Sequence, residues 1–162
     1  MTRRSFLRGR PGRVPFRPPW ALPETDFAAR CTACGDCVSA CPTGLLKQSP
    51  GTFPYADFAA ATCDFCGRCA DACQPAALVR GAGRPWNLTA VIDDACLARR
   101  AVVCRTCGEQ CDAGAIRFSP VLGGVARPEI DIERCTGCSD CLAGCPTHAI
   151  AIARAPALRE NA

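Results

Sequence analysis

The sequence predicts an α+β fold of two small modules in tandem, in which cysteine-rich loops and short hairpins take the place of a large apolar core. Three observations lead to this prediction: sixteen cysteines in 162 residues, their division into four groups of four, and the repetition of that arrangement along the chain. Cys31 and Cys63 are 32 residues apart, and Cys104 and Cys135 are 31 apart. A fixed period of this length is typical of repeated supersecondary units.

The four cysteine groups share a regular internal spacing. Three of them read Cys-x2-Cys-x2-Cys-x3-Cys, which is the run found in bacterial ferredoxins. The third keeps its last three cysteines at this spacing but stretches the first gap to seven residues, and no cysteine is left over. The groups are Cys31, Cys34, Cys37 and Cys41; Cys63, Cys66, Cys69 and Cys73; Cys96, Cys104, Cys107 and Cys111; and Cys135, Cys138, Cys141 and Cys145.

This spacing suits a 4Fe-4S cluster, because each of its four iron corners needs one thiolate. Gaps of two residues let one tight loop reach three corners, and the backbone amides of such a loop can face the sulfurs as in an anion-binding nest. The sixteen cysteines are therefore predicted to be the iron ligands of four 4Fe-4S clusters. Zinc sites use two separated Cys pairs, and cysteines this close in sequence rarely have the geometry of a disulfide, so both alternatives are weaker.

The ligand sets of each module are expected to cross over, because the fourth cysteine of a run ligates the other cluster in two-cluster ferredoxins. In the first module the expected sets are Cys31, Cys34, Cys37 with Cys73, and Cys63, Cys66, Cys69 with Cys41. In the second they are Cys96, Cys104, Cys107 with Cys145, and Cys135, Cys138, Cys141 with Cys111. The alternative pairs group one with group four and group two with group three. Hairpin-like connectors favour the pairing of adjacent groups.

The segments between the cysteine groups predict short antiparallel hairpins. Residues 44–58 and 115–135 each read as strand, Gly/Pro turn and strand, and residues 149–155 read as a last strand. The chain is accordingly divided into a basic Pro/Arg-rich arm at 1–24, a first two-cluster ferredoxin-like module at 25–84 and a second at 85–162. Modules this small bury little apolar surface, so we expect the clusters to stabilise the fold and the cluster-free chain to be largely unfolded.

The first residues, Met-Thr-Arg-Arg-Ser-Phe-Leu, imitate the start of a twin-arginine export signal. Such a signal needs an apolar stretch of about 7–15 residues, but Phe6 and Leu7 are followed by Arg8 and a Gly/Arg/Pro-rich segment. The longest apolar run in the chain is five residues, 149–153, far below the roughly 20 that span a bilayer. We therefore expect a cytoplasmic protein without a membrane span, in a compartment that keeps thiols reduced.

Charge separates the arm from the body of the chain. The formal net charge is +4, but an oxidised cluster with its four thiolates carries about −2, so four clusters bring the total to about −4. Residues 1–17 hold six Arg and no acidic residue. The arm can therefore attract an acidic partner. Nucleic acid is not expected as a partner, because the acidic body would repel phosphate.

Nothing in the sequence indicates a catalytic centre. His148 is the only histidine, so there is no His pair for acid–base chemistry, and a place in a surface turn is its expected role. Trp20 and Trp86 could each cover a cluster or dock a partner. Packing in the core is the more expected role for Trp86, whereas for Trp20 core packing and a role at a cluster or partner are equally expected. The predicted activity is one-electron transfer through thiolate-held clusters, and the protein is not expected to be an enzyme.

Several motifs together resemble one known family. They are RRSFLRG at 3–9, RPPW at 17–20, the four cysteine groups in order, and DACL at 94–97, which introduces the seven-residue gap. With these motifs the chain resembles, over nearly its whole length, the NapF family of ferredoxin-type iron–sulfur proteins of the periplasmic nitrate reductase system.

This resemblance implies four 4Fe-4S clusters, a cytoplasmic location, and contact with the molybdenum-containing catalytic subunit of periplasmic nitrate reductase before its export. It implies a role in maturation of that subunit, through cluster assembly or electron supply. An electron-transfer subunit of a membrane quinol-oxidising complex is the alternative function. A protein whose clusters are purely structural is a third.

Overall fold

A computed structural model describes residues 15–81 and 83–156 of the chain, and the elements in these ranges are all short. The helices are α1 (Glu24–Arg30), α2 (Asp36–Ser39), α3 (Arg68–Asp71), α4 (Thr106–Glu109) and α5 (Asp140–Ala143). The strands are β1 (Leu46–Lys47), β2 (Tyr55–Ala56), β3 (Leu88–Ile92), β4 (Ile116–Ser119), β5 (Arg127–Ile130) and β6 (Ile150–Arg154). This small mixture of helices and strands agrees with the predicted fold class.

Two predicted hairpins are confirmed between the cysteine groups. Strands β1 and β2 pair antiparallel with Leu46 opposite Ala56, and β4 and β5 pair antiparallel with Ile116 opposite Ile130. Each hairpin follows a one-turn helix and returns the chain toward the next cysteine group. The hairpins therefore bring successive groups of one module side by side.

The longest sheet joins the two ends of the second module. Strand β3 pairs antiparallel with β6 over five residue pairs, from Leu88 opposite Arg154 to Ile92 opposite Ile150. The sequence predicts the last strand but not its partner. The first module has a shorter counterpart, a single antiparallel bridge between Ala21 and Leu78. In each module the segment before the first cysteine group thus pairs with the segment after the second.

The described end of the predicted arm packs against the first module. The backbone carbonyl of Phe16 accepts a hydrogen bond from Ala56, at 2.8 Å, and Pro18 and Pro19 are buried. The Arg17 guanidinium lies 2.6 Å from the Glu24 carboxylate and 5.0 Å from the centre of the Phe27 ring. Residues 1–14 lie outside the described residues, so the structure does not test the rest of the arm.

Helix α1 was not predicted, although its sequence carries the signals of a helix start. It follows Pro23 and has the acidic residues Glu24 and Asp26 in its first turn. Negative charge there interacts favourably with the positive N-terminal end of the helix dipole. It ends directly before the first ligand candidate, Cys31. Its Phe27 side chain is fully buried, so α1 closes one side of the first module.

Each module has a small apolar core that includes some of its own cysteines. The first contains Phe27, Leu45, Leu46 and Leu78, and the second contains Leu88, Ile116, Ile150 and Ile152. Three half-buried aromatic residues pack against both cores: Phe16, Phe58 and Trp86. Trp86, expected in the core, packs against both cores but is only half-buried, so it lies where the two modules meet rather than inside one.

No helix in the described parts of the chain is both long and apolar enough to pass through a membrane.

Candidate metal centres

The one-turn helices carry one cysteine of every group into the interior. Cys37, Cys69, Cys107 and Cys141 lie in α2, α3, α4 and α5 and are all buried. Directly before three of these helices a residue has a positive φ: Gly35 at 86°, Gly67 at 81° and Ser139 at 79°. This left-handed residue turns the loop sharply into the helix, a conformation that glycine adopts without strain.

The structure brings the expected thiols together into four sets, which we call sites 1 to 4. Site 1 is Cys31, Cys34, Cys37 and Cys73; site 2 is Cys63, Cys66, Cys69 and Cys41; site 3 is Cys96, Cys104, Cys107 and Cys145; and site 4 is Cys135, Cys138, Cys141 and Cys111.

Sites 2 and 3 are visible as cavities. The four thiols of site 2 line a small cavity with Trp20, Leu45 and Phe65 among its walls. The four thiols of site 3 line a second small cavity with Ile92, Leu97 and Ile150. Both cavities draw their fourth cysteine from the other group of the same module. This is the arrangement that crossed ligation between adjacent groups predicts.

Sites 1 and 4 are recognised by the thiols that influence their buried cysteine. Burial raises the pKa of Cys37 to about 12, and the neighbouring thiols that add to this rise include those of Cys31, Cys73 and Cys34. Burial likewise raises the pKa of Cys141 to about 12, with contributions from Cys138, Cys135 and Cys111. The thiols that raise the pKa of each buried cysteine thus include two members of its own group, the last cysteine of the adjacent group and the buried cysteine of the neighbouring site.

The two sites of a module are close neighbours. Cys69 of site 2 contributes to the raised pKa of Cys37 in site 1, and Cys107 of site 3 contributes to that of Cys141 in site 4. These contacts follow from the packing of α2 against α3 and of α4 against α5. Each module therefore places two thiol sites next to each other at a pair of packed one-turn helices.

Backbone amides and hydroxyls point at several of the sulfurs. Amides of Ala90, Ala115 and Ala149 donate to Cys135, Cys111 and Cys145 at 3.3–3.4 Å. Burial alone would raise the pKa of Cys41, but the backbone amides of residues 44–46 and the Thr43 hydroxyl outweigh it and lower the pKa. Donors of this kind stabilise a thiolate, which is the form that binds iron.

The donor set fits a polynuclear cluster better than a single ion. Among residues 15–81 and 83–156, no three Cys, His, Asp or Glu side chains converge closely enough to hold one metal ion, whereas zinc needs four donors at about 2.0–2.3 Å. The hydroxyl of Ser139, between Cys138 and Cys141, is buried without a hydrogen-bond partner among the described residues. An unpaired buried donor of this kind is costly.

Sequence reasoning missed the residues that wall the sites. Pro19 and Trp20 line site 2 although they belong to the predicted arm, and the Arg80 guanidinium lies 5.4 Å from the centre of the Trp20 ring. The aromatic residue of the RPPW motif was the available local signal, but it does not show which site the ring reaches. Trp20 therefore covers a site, which was one of the roles considered for it, while His148 is exposed in a turn as expected.

Comparison with known proteins agrees with this geometry. The "4Fe-4S dicluster domain" family matches residues 30–78 and again residues 102–149. Fold and sites together define an iron–sulfur protein of the ferredoxin type, built from two dicluster domains, and the sixteen cysteines of the chain fit four 4Fe-4S clusters. The predicted cofactor is thus confirmed.

The relatives narrow the class further, and the chain belongs to the NapF family. It is 41% identical to the ferredoxin-type protein NapF of Haemophilus influenzae, over 93% of this chain and 92% of that protein. It is 38% identical to NapF of Escherichia coli K12, over 92% of each. A more distant relative is the methylamine utilization ferredoxin-type protein MauM of Methylobacillus flagellatus, 30% identical over 91% of this chain and 72% of that protein.

Proposed function

We propose that this protein acts in the cytoplasm on the molybdenum-containing catalytic subunit of periplasmic nitrate reductase, before that subunit is exported. It would supply electrons or cluster components while the subunit matures, and it would not itself be an enzyme. The observation that carries the proposal is the match to NapF proteins over more than nine tenths of the chain, with both dicluster domains present.

We also propose that sites 1 to 4 each hold one 4Fe-4S cluster, with the crossed ligand sets given above. When bound, such a cluster supplies a one-electron redox couple. The residues of this chain then have separate tasks. The thiolates hold the iron, the backbone amides offset negative charge on the sulfurs, and apolar walls such as Trp20, Phe65 and Ile92 limit the access of water.

A division of labour along the chain follows from this proposal. Residues 1–24 would be the arm, 25–84 and 85–162 the two cluster modules. Attraction of the catalytic subunit would depend on residues 1–14, because the described end of the arm already packs on the first module. Residues 1–14 hold five Arg and no acidic residue. Such a charge excess accelerates binding to an acidic partner and makes it sensitive to salt.

Capture of the purified catalytic subunit tests this proposal. Deleting residues 2–14 should weaken capture but leave the iron content unchanged, because Pro19 and Trp20 at site 2 are retained. A matched control changes five exposed arginines of the body to Gln: Arg30, Arg68, Arg99, Arg117 and Arg127. This control should capture the subunit normally. For the full-length protein, raising salt from about 0.05 to 0.5 M should weaken capture, since screening shortens the reach of the arginines.

Three results would count against the proposal or a part of it. Failure of the full-length protein to capture the catalytic subunit at low salt would reject the proposed partner. Binding to quinol-oxidising membrane subunits would favour the alternative function. Equal capture by the truncated and full-length proteins would support the proposed partner but reject the arm as the segment that binds it.

A further inference from the structure

The two modules are in direct contact through the loops of one particular pair of sites. The backbone amide of Cys63, in site 2, donates a hydrogen bond to the backbone carbonyl of Cys138, in site 4, at 3.0 Å. The thiol of Cys63 belongs to site 2, and the thiol of Cys138 belongs to site 4. A bonded path therefore runs from one sulfur through Cys63, across a single hydrogen bond, to the other sulfur.

Trp86, near the start of the second module, holds these two loops against each other. Its indole N–H donates to the Thr136 carbonyl at 2.8 Å, in the loop of site 4. Its ring lies edge-on to Phe65, in the loop of site 2, with centroids 5.7 Å apart, and to Phe58 at 5.4 Å. One side chain thus touches the ligand loops of both sites.

The site 4 loop is shaped to receive this side chain. Gly137 has φ +74°, and a Cβ placed on it would lie 2.9 Å from the Trp86 indole nitrogen and 3.0 Å from Leu88. The Arg84 guanidinium also binds next to the site 4 loop, where it donates hydrogen bonds to the carbonyls of Ile132 at 3.1 Å and of Cys135. The segment Arg84–Trp86 is therefore a fixed contact between the modules rather than a plain linker.

We propose that the four clusters form one continuous electron path in the order site 1, site 2, site 4, site 3, with the Cys63–Cys138 contact as the crossing and Trp86 as its positioning residue. Within each module the path follows the neighbouring pairs described above. At the crossing, clusters held by sites 2 and 4 would supply the one-electron couples, and the Cys63–Cys138 contact would join their ligand loops without any bond or proton moving. Sites 1 and 3 are then the two ends at which external redox partners exchange electrons.

This inference rests on the proposed assignment of clusters to sites, but not on the nitrate reductase partner. The competing arrangement is a pair of independent two-cluster carriers that happen to share a chain. The two arrangements differ in which clusters sense each other magnetically. Magnetic interaction between reduced clusters falls steeply with distance, so it distinguishes a site 2–site 4 pair from a site 1–site 3 pair.

Paramagnetic resonance of two double variants tests the order. Cys34→Ser with Cys104→Ser leaves the inner sites 2 and 4, and Cys66→Ser with Cys138→Ser leaves the outer sites 1 and 3. After reduction with dithionite, the inner pair should give interaction-split signals, and the outer pair should give two independent signals. Iron and sulfide content shows that each variant holds two clusters. A simple sum of independent signals from a loaded inner pair would overturn the proposal.

The four-cluster protein provides a second test that does not depend on removing ligands. Trp86→Leu should remove the interaction between modules while iron and sulfide stay at the wild-type level. An unchanged spectrum of Trp86→Leu, with full iron content, would also overturn the proposal.

Discussion

Removing iron and sulfide from this protein should unfold it. The largest fully buried apolar side chains in the described residues are few, with Phe27, Leu45 and Leu46 in the first module, and buried cysteines complete both cores. Small modules of this kind depend on bound metal for stability. An anaerobic chelator with a reductant should therefore abolish near-ultraviolet circular dichroism and the cooperative thermal transition. Adding iron and sulfide back should restore both.

The control is a sample of the protein that is exposed to the same chelator but keeps its clusters. An unchanged visible spectrum verifies that the clusters are still present. This sample should keep its thermal transition. Retention of a cooperative transition by the iron-free protein would contradict the prediction and would mean that the apolar cores alone specify the fold.

Changing Cys41 to Ser should remove the cluster of site 2, although Cys41 belongs to the first cysteine group. The reason is that Cys41 lines one cavity with Cys63, Cys66 and Cys69. Iron should fall from about 16 to about 12 atoms per chain, four for each lost cluster. The signals of sites 3 and 4 should persist, because their thiols belong to the second module.

Two single variants identify which cluster is lost. Cys34→Ser reports on site 1 and Cys66→Ser on site 2, and both cysteines are exposed. The spectrum and potentials of Cys41→Ser should match those of Cys66→Ser and differ from those of Cys34→Ser. A match to Cys34→Ser, or loss of a signal that Cys138→Ser also removes, would reject crossed ligation within the first module.

Most of the candidate sites could be predicted from the sequence because the ligands are locally spaced. Three cysteines of a run such as Cys135, Cys138 and Cys141 are held by one loop and one helical turn, so their spacing nearly determines their geometry. The hairpins were predictable for the same reason, since alternating apolar residues and a Gly/Pro turn lie in one continuous segment. The domain boundaries at 24/25 and 84/85 stay predictions.

What could not be predicted depends on contacts between distant segments. Nothing in the local pattern of β3 selects β6 as its partner, and nothing in RPPW shows that Trp20 reaches the cavity of Cys41 and Cys63. The contact of Trp86 with the Thr136 loop likewise joins residues fifty positions apart. Packing of the modules decides these positions, and only the structure shows it.

Anaerobic purification with iron, sulfide and zinc analysis, followed by redox-titrated paramagnetic resonance, tests most directly that this chain is a four-cluster protein. The account predicts a brown protein with about 16 iron and 16 sulfide per chain, four of each for every 4Fe-4S cluster. Reduction should produce four 4Fe-4S signals that titrate as one-electron centres. A colourless protein that contains zinc and no sulfide would contradict the account.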